Sequence, residues 1–156
     1  MWYNDSINKG DIKILKDGTW TYKGAEIIRK DILNLFYKHL EKNEKGKIVL
    51  NLDGEKVEII VEDVPFIVKD IDIIKDPKGD IDSIILTLND GTKEPLDINT
   101  LRINKDNVLY CDVKGGFFSA KFKRPLATYL ADFLDEDEKG VYLKVKGRKF
   151  FIPNVD

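Results

Sequence analysis

The chain has 156 residues, 42% of them hydrophobic and 35% charged, which is enough for a buried core but short for two large independent domains. Its 26 Lys and Arg residues against 28 Asp and Glu give a net charge of −2, so no net positive field attracts nucleic acid or an anionic membrane. With Cys111 as its single cysteine, one chain builds neither a disulfide framework nor a cysteine-rich zinc site. The first residues lack the apolar run of a signal peptide and no stretch approaches the length of a membrane span, so we expect a soluble cytoplasmic protein.

Short runs of Ile, Val, Leu and aromatic residues alternate with glycine-containing turn signals along the chain, which predicts antiparallel hairpins. Two segments, 29–43 and 123–136, instead repeat apolar residues every three or four positions and are predicted to be helices. Pro125 suits the first turn of the second helix, where its missing N–H costs nothing. Between 64 and 103, alternating apolar residues predict about three further strands, which most simply extend the sheet of the second half.

The second helix and the hairpin after it repeat the pattern of the first. An offset of 94 residues aligns the apolar positions of the two helices, and an offset of 93 then aligns the alternating residues of 48–59 with those of 141–152. This match in alternation is significant because a shift of one residue would move the apolar side chains of each strand from the buried face to the solvent face. We therefore predict two units that each run hairpin, helix, hairpin. Two unrelated α+β segments are the alternative.

The fold class that follows is α+β, with mostly antiparallel sheets and a C-terminal half that is curved or barrel-like. We place the boundary near Pro65, which gives an N-terminal repeat unit at 1–64 and a C-terminal unit at 65–156 that holds the extra strands and the second repeat. Pro65 as a bend in one continuous sheet is the alternative interpretation.

Several residues that suggest chemistry have simpler structural interpretations. His39 falls on the apolar side of the first helix and aligns with Phe133 in the repeat, which favours a core or half-buried position over a general base. Cys111 shares a strand face with apolar neighbours and is interpreted as a small buried hydrophobic residue. The acidic run 135–138 lacks the spacing of a calcium loop and is interpreted as a solvated helix end. The basic residues of 144–149 are interpreted as keeping an exposed sheet face soluble.

Arg29 stands at the predicted start of the first helix. There its guanidinium and the helix N–H groups could together hold a phosphate or a carboxylate. Positive charge opposes the macrodipole at this end, so a compensating anion is expected. That anion is either a ligand or a side chain of the protein, with Asp17, Glu26 and Asp63 among the candidates for a structural salt bridge.

Trp20 and Tyr22 alternate on one strand and so share a face. Large aromatic residues at such positions are normally core residues. If this face looks towards the other half of the chain, the two rings and Arg29 would instead form a cleft that stacks a base and holds a phosphate, with Phe66 on the opposite wall.

These residues also carry a resemblance to a known family. The sequence resembles the bacterial family called domain of unknown function 1285 over nearly its whole length. The most specific elements are Asp17-Gly18-Thr19-Trp20, then Tyr22, Gly24, Ile27 and Arg29, and finally Asp63, Pro65 and Phe66. The resemblance implies a duplicated core, a C-terminal half loosely similar to pleckstrin-homology folds, and no established activity. It also implies a nucleotide-type ligand bound between the halves and a part in signal transduction.

The expected function is a non-enzymatic regulatory or sensing module that binds a small anionic ligand between its repeats and relays this to a signalling protein. The candidate ligand-binding residues are Asp17, Trp20, Tyr22, Arg29, Asp63 and Phe66. No catalytic or metal-binding residue is predicted, the sequence does not identify a cofactor, and neither nucleic acid nor a membrane span is expected. The alternatives are a hydrolase or transferase that uses carboxylates such as Asp17 and Asp63, and an adaptor whose sheet edges pair with another chain.

Overall fold

The computed structural model describes residues 7 to 156. It has a mixed α+β fold in which, over the described residues, seventeen short strands accompany two α-helices. The chain divides into two compact units, Met1–Pro65 and Phe66–Asp156, called here the N-terminal unit and the C-terminal unit. No helix within residues 7–156 is both long enough and apolar enough to cross a bilayer.

The N-terminal unit contains two sheets and one helix. Its elements are β1 (Ile12–Ile14), β2 (Trp20–Tyr22), β3 (Ala25–Glu26), α1 (Lys30–Lys38), β4 (Leu40–Lys42), β5 (Ile48–Leu52), β6 (Glu55–Glu58) and β7 (Ile60–Val61). A four-stranded sheet has the order β3-β2-β1-β7, in which β7 lies parallel to β1, and a three-stranded antiparallel sheet has the order β4-β5-β6. The side chains at the centre of its core are at most 2% exposed: Ile12, Ile14, Trp20, Ile32, Phe36 and Leu50.

Helix α1 is shorter than the sequence predicts. It buries Ile32 and Phe36, which lie on one face because they are four residues apart. It then ends at His39, whose N–H bonds to the carbonyl of Phe36 at 3.1 Å. The predicted extension to residue 43 is wrong because Leu40 begins β4 and pairs with Leu50. Pairing between strands therefore overrides the helical spacing at this end.

The C-terminal unit contains a seven-stranded sheet, a three-stranded sheet and one helix. Its elements are β8 (Phe66–Lys75), β9 (Ile81–Leu88), β10 (Lys93–Pro95), a 3-10 turn (Ile98–Thr100), β11 (Arg102–Asn104), β12 (Leu109–Val113), β13 (Phe118–Phe122), α2 (Arg124–Ala131), β14 (Leu134–Asp137), β15 (Gly140–Val145), β16 (Arg148–Phe151) and β17 (Asn154–Val155). The large sheet has the order β10-β9-β8-β13-β12-β11-β17, and the small antiparallel sheet has the order β14-β15-β16. The barrel-like alternative is wrong because the large sheet is open, with β10 and β17 at its edges.

Helix α2 begins with Pro125 in its first turn, as the sequence predicts. It also ends early, with the N–H of Phe133 bonded to the carbonyl of Leu130 at 3.0 Å. The acidic run 135–138 is therefore not a helix end. It lies mostly in β14, where Asp135 pairs with Tyr142 of β15.

The two units share one order of elements. The sheet β3-β2-β1-β7 has the same connectivity as the part β13-β12-β11-β17 of the large sheet, and each helix is followed by a three-stranded antiparallel sheet. The pairs Leu40↔Leu50↔Val57 and Leu134↔Leu143↔Phe150 have the same register. Strands β8 to β10 are additional in the C-terminal unit and extend its sheet. Descent by duplication and the loose similarity to pleckstrin-homology folds stay predictions.

Candidate functional site

A pocket of about 320 Å³ lies within the N-terminal unit, where β2 and β3 lead into α1. Tyr22, residues 25 to 29 and Ile32 line it, and we call it the Arg29 pocket. Tyr22 ends β2 and pairs with Ala25 across a two-residue turn, Lys23-Gly24, whose φ angles are +49° and +86°. Such a left-handed turn joins closely paired antiparallel strands. The turn returns the chain beside Tyr22 and places the residues before α1 along the pocket wall.

The wall of the Arg29 pocket is largely apolar. Ile27 and Ile32 are 7% and 1% exposed and anchor the wall in the core, whereas Ile28 is 76% exposed. The N–H of Ile27 bonds to the carbonyl of Trp20 at 2.8 Å, which ties this segment to β2. Because the described part of the chain leaves few large apolar side chains so open to water, Ile28 marks a surface suited to contact with another molecule.

Arg29 supplies the cation of the pocket. It is the N-cap residue of α1, its backbone is extended, and its side chain makes no cap hydrogen bond. Its Nε and Nη2 donate to the two carboxylate oxygens of Asp31 at 3.1 and 2.6 Å. The structural salt bridge expected for Arg29 is thus present, with Asp31 as its partner. Hydrogen bonding from Arg29 is the main cause that holds the pKa of the Asp31 carboxyl below its ordinary value.

The Arg29–Asp31 pair uses one edge of the guanidinium. Both side chains are well exposed, at 60% and 59%, so the pair adds little net stability and is readily rearranged. Nη1 of Arg29 has no hydrogen-bond partner among residues 7–156. A second cation lies nearby, since Lys23 Nζ is 5.3 Å from the centroid of the Tyr22 ring. An incoming anion would therefore find a free donor edge beside an aromatic ring.

Trp20 is a core residue and not a wall of the pocket. Its side chain is 2% exposed, and its ring centroid lies 5.8 Å from that of Phe36 and 5.1 Å from that of Tyr37. The core interpretation of Trp20 is thus the one that the structure supports. Its Nε1 is buried and has no hydrogen-bond partner in the described residues. Of the two rings predicted to share a strand face, only Tyr22 lines the pocket.

The other three predicted ligand-binding residues lie outside the Arg29 pocket. Asp17 is in the turn between β1 and β2, where its Oδ1 accepts a hydrogen bond from the N–H of Thr19 at 2.9 Å. Asp63 is half-buried in the connection after β7. Phe66 begins β8 of the C-terminal unit, is 1% exposed, and packs its ring 5.6 Å from that of Phe118.

His39 and Cys111 have structural positions. His39 is half-buried at the C-cap of α1, and its carbonyl accepts a hydrogen bond from the N–H of Asn51 at 3.0 Å. Cys111 is fully buried, and this burial, with a smaller effect of Asp112, raises the thiol pKa to about 12. A reactive thiolate is therefore not available at neutral pH. The core interpretation of Cys111 is confirmed.

Metal binding has no support in the part of the chain that the structure describes. There, no group of three or more His, Cys, Asp or Glu side chains is arranged to hold an ion.

Two important residues, one beside the pocket and one in its wall, were not recognised from the sequence. Asp31, the partner of Arg29, lies only two positions further along, and an acid in the first turn of a helix is a readable signal. Ile28 follows Ile27 directly, and the structure buries only the first of the two, with Ile27 7% and Ile28 76% exposed. No signal in the sequence showed which of these adjacent isoleucines would be exposed.

Comparisons with known proteins relate the sequence and the fold of the chain to a family of unknown function. Residues 1–64 match the sequence model described as the N-terminal domain of DUF1285, a domain of unknown function. A DUF1285 family protein from Silicibacter pomeroyi DSS-3 is similar in structure, with a TM-score of 0.77 and 24% identity over 93% of this chain and 80% of that one. A second, from Shewanella baltica OS155, has a TM-score of 0.63 and 22% identity over 79% of this chain and 91% of that one.

The search among curated proteins gives no significant match. The two structural similarities extend over both units and concern the fold, whereas the sequence match lies in the N-terminal unit. The resemblance found in the sequence is therefore confirmed: residues 1–64 match the DUF1285 N-terminal domain, and the fold of the chain is similar to that of two DUF1285 family proteins.

Proposed function

We propose that this chain is a non-enzymatic sensing module of the cytoplasm. In this proposal its N-terminal unit binds a small organic anion, nucleotide-type ligands included, and the bound state is passed to a signalling protein. The observation that carries the proposal is the free guanidinium edge of Arg29 in a pocket with Tyr22 and three isoleucines. Such a pocket combines an apolar wall with a few polar groups, here Arg29 and Glu26, as small-molecule sites commonly do.

The volume and charge of the Arg29 pocket support a small ligand. At about 320 Å³ it lies near the lower end of the range for ligand pockets, roughly 300–1,000 Å³. The guanidinium matches the two oxygens of a carboxylate or a phosphate. Tyr22 adds an aromatic ring to the lining, which suits a ligand with a flat or apolar body. An anion attached to a flat or apolar body fits all three features.

A thermal-shift screen tests the proposal. The purified chain is heated with nucleotides, dinucleotides, sugar phosphates and aromatic carboxylates. A ligand at 100 times its Kd adds about 2.7 kcal/mol of stability, which at this chain length raises the midpoint by about 5 °C or more.

Two variants show whether the ligand uses the Arg29 pocket. Arg29→Ala is expected to abolish the shift with little change in the midpoint of the free protein, because the pair it breaks is exposed. Lys30→Ala is the matched control, since it removes the next cation along the chain, which does not line the pocket. A shift that survives Arg29→Ala would contradict the proposed site.

The outcome also separates the alternatives. Turnover of a bound ligand would favour an enzyme. No shift with any ligand class would favour the adaptor, whose sheet edges pair with another chain.

A further inference from the structure

The charges around Arg29 restrict the class of anion that the pocket accepts. Resting on the proposed function, we infer that the Arg29 pocket selects a singly charged carboxylate on an apolar or aromatic body over a phosphate dianion. Three observations support this preference for a carboxylate: the hydrogen-bonding edge that Arg29 leaves free, the balance of charge at the pocket, and the apolar wall of the pocket.

The first observation concerns hydrogen-bond geometry. Asp31 occupies the edge of the guanidinium formed by Nε and Nη2, with donor–acceptor distances of 3.1 and 2.6 Å. The adjoining edge, formed by Nη1 and the second Nη2 proton, has no acceptor within the described chain. Two parallel N–H···O bonds along such an edge match a planar carboxylate. Arg29 can therefore hold the ligand at this edge while it keeps Asp31 at the first one.

The second observation concerns charge. Arg29 is already balanced by Asp31, and Glu26 lines the same pocket. Lys23, beside the Tyr22 ring, brings the local formal charge of these four groups to zero. A ligand with one negative charge needs only the free edge of Arg29, whereas a second negative charge gains no further paired hydrogen bond from Arg29 and is repelled by the carboxylates of Glu26 and Asp31. The site thus disfavours a dianion.

The third observation concerns the body of the ligand. Ile27, Ile28, Ile32 and the Tyr22 ring leave only Glu26 and Arg29 as charged groups in the lining. A pocket of about 320 Å³ accommodates one or two fused rings more readily than an extended dinucleotide. Burying such a body contributes roughly in proportion to the apolar area removed from water. A small aromatic carboxylate satisfies both parts of the site.

Three probes with the same body test the inference by titration calorimetry on the full chain: 1-naphthoate, 1-naphthyl phosphate and 1-naphthamide. The measurements are made well above the second phosphate pKa of ~6, where the phosphate ester is a dianion. We expect naphthoate to bind at least about fivefold more tightly than either other probe. A difference of one unit charge close to a solvent-exposed charged group changes the binding free energy by about 1 kcal/mol, which corresponds to about fivefold in Kd. In a variant that combines Glu26→Gln and Asp31→Asn, the preference for naphthoate over the phosphate should fall by about the same factor.

The outcomes distinguish the inference from the proposed function. Naphthyl phosphate binding as tightly as naphthoate, with both weakened by Arg29→Ala, would overturn the ligand class and leave the anion site intact. Naphthamide binding as tightly as naphthoate, with no effect of Arg29→Ala, would overturn anion recognition and the proposed function with it. Failure of all three probes to bind would overturn the ligand class, and the nucleotide screen would then decide the proposed function. Lys30→Ala should leave every ratio unchanged.

Discussion

A half-buried ion pair joins two hairpin turns of the C-terminal unit and leads to a quantitative prediction. Lys114, in the turn between β12 and β13, donates through Nζ to Oδ2 of Asp90 and to Oγ1 of Thr92, each at 2.8 Å. Its ammonium also lies 5.3 Å from the centroid of the Phe66 ring. The side chain of Asp90 is only 9% exposed, and that of Lys114 is 29% exposed. Lys114→Ala removes all of these interactions at once.

The expected cost of Lys114→Ala is about 2–3 kcal/mol of unfolding free energy. Hydrogen bonds to charged groups contribute about 1.5–3 kcal/mol, and the contact with the aromatic ring adds about 0.5–1 kcal/mol. Water weakens these interactions to some extent, because the Lys114 side chain is partly exposed and its charge is partly screened. The variant also leaves the Asp90 carboxylate nearly buried without its cation. Backbone strain does not change, since Lys114 has a φ of +57° and alanine keeps the Cβ that makes this conformation unfavourable.

Urea unfolding of the wild type, Lys114→Ala, Asp90→Asn and the double variant measures the pair directly. We expect a coupling energy of about 1–2 kcal/mol between the two positions. A cost below about 0.5 kcal/mol for Lys114→Ala, together with no coupling, would refute the stabilising role of this ion pair. It would mean that water solvates Asp90 as well as the Lys114 ammonium does.

The pH dependence gives an independent check. Burial raises the pKa of the Asp90 carboxyl, but hydrogen bonds from Lys114 and Thr92 outweigh it and leave the pKa below its ordinary value. A carboxyl with a lowered folded-state pKa stabilises the fold above its unfolded pKa of ~3.9, and this stability is lost as the pH falls through the folded pKa. The difference between wild type and Lys114→Ala should therefore shrink in acid.

Two further predictions concern the core. Leu50→Ala and Leu143→Ala are each expected to cost about 2–5 kcal/mol in urea unfolding, since both side chains are fully buried on the central strand of a three-stranded sheet; a cost below about 1 kcal/mol at either position would contradict its burial. The thiol of Cys111 is expected to resist a disulfide exchange reagent in the native protein and to react once urea unfolds it, because the thiol is buried with a pKa of about 12. Rapid reaction without denaturant would contradict this position.

Turn chemistry is the part of the fold that the sequence reveals best. The turns Lys23-Gly24 and Lys114-Gly115 have positive φ at both residues, as do Asp53-Gly54 and Lys146-Gly147. Glycine tolerates this conformation without the clash of a Cβ, so it marks such turns in any sequence. The alternation of apolar residues then fixes which face of each strand is buried. Both signals are local, which is why the hairpins could be predicted.

The ends of the helices could not be predicted, because partners distant in sequence decide them. Leu40 and Leu134 continue the apolar spacing of their helices, yet each pairs with a leucine of the next strand. In the candidate site, too, some features depend on nearby residues and others on residues distant in sequence. The pairing of Arg29 with Asp31 is local, since the two are only two residues apart, although it was not recognised from the sequence. The burial of Trp20 instead depends on how Phe36 and Tyr37 of α1 pack against it.

The two helix starts provide a last test of where the ligand binds. Lys123 is the N-cap of α2 as Arg29 is of α1, but α2 has no acid in its first turn, and Pro125 stands where α1 has Asp31. A lysine is a point charge without a planar donor edge, so it cannot reproduce the paired hydrogen bonds expected of Arg29. Lys123→Ala is therefore expected to leave the calorimetric affinity for 1-naphthoate unchanged, while Arg29→Ala abolishes binding. Equal losses in the two variants would mean that general positive charge, and not the Arg29 pocket, attracts the anion. In that case the losses should also disappear at high salt, because screening weakens long-range attraction far more than a direct paired hydrogen bond.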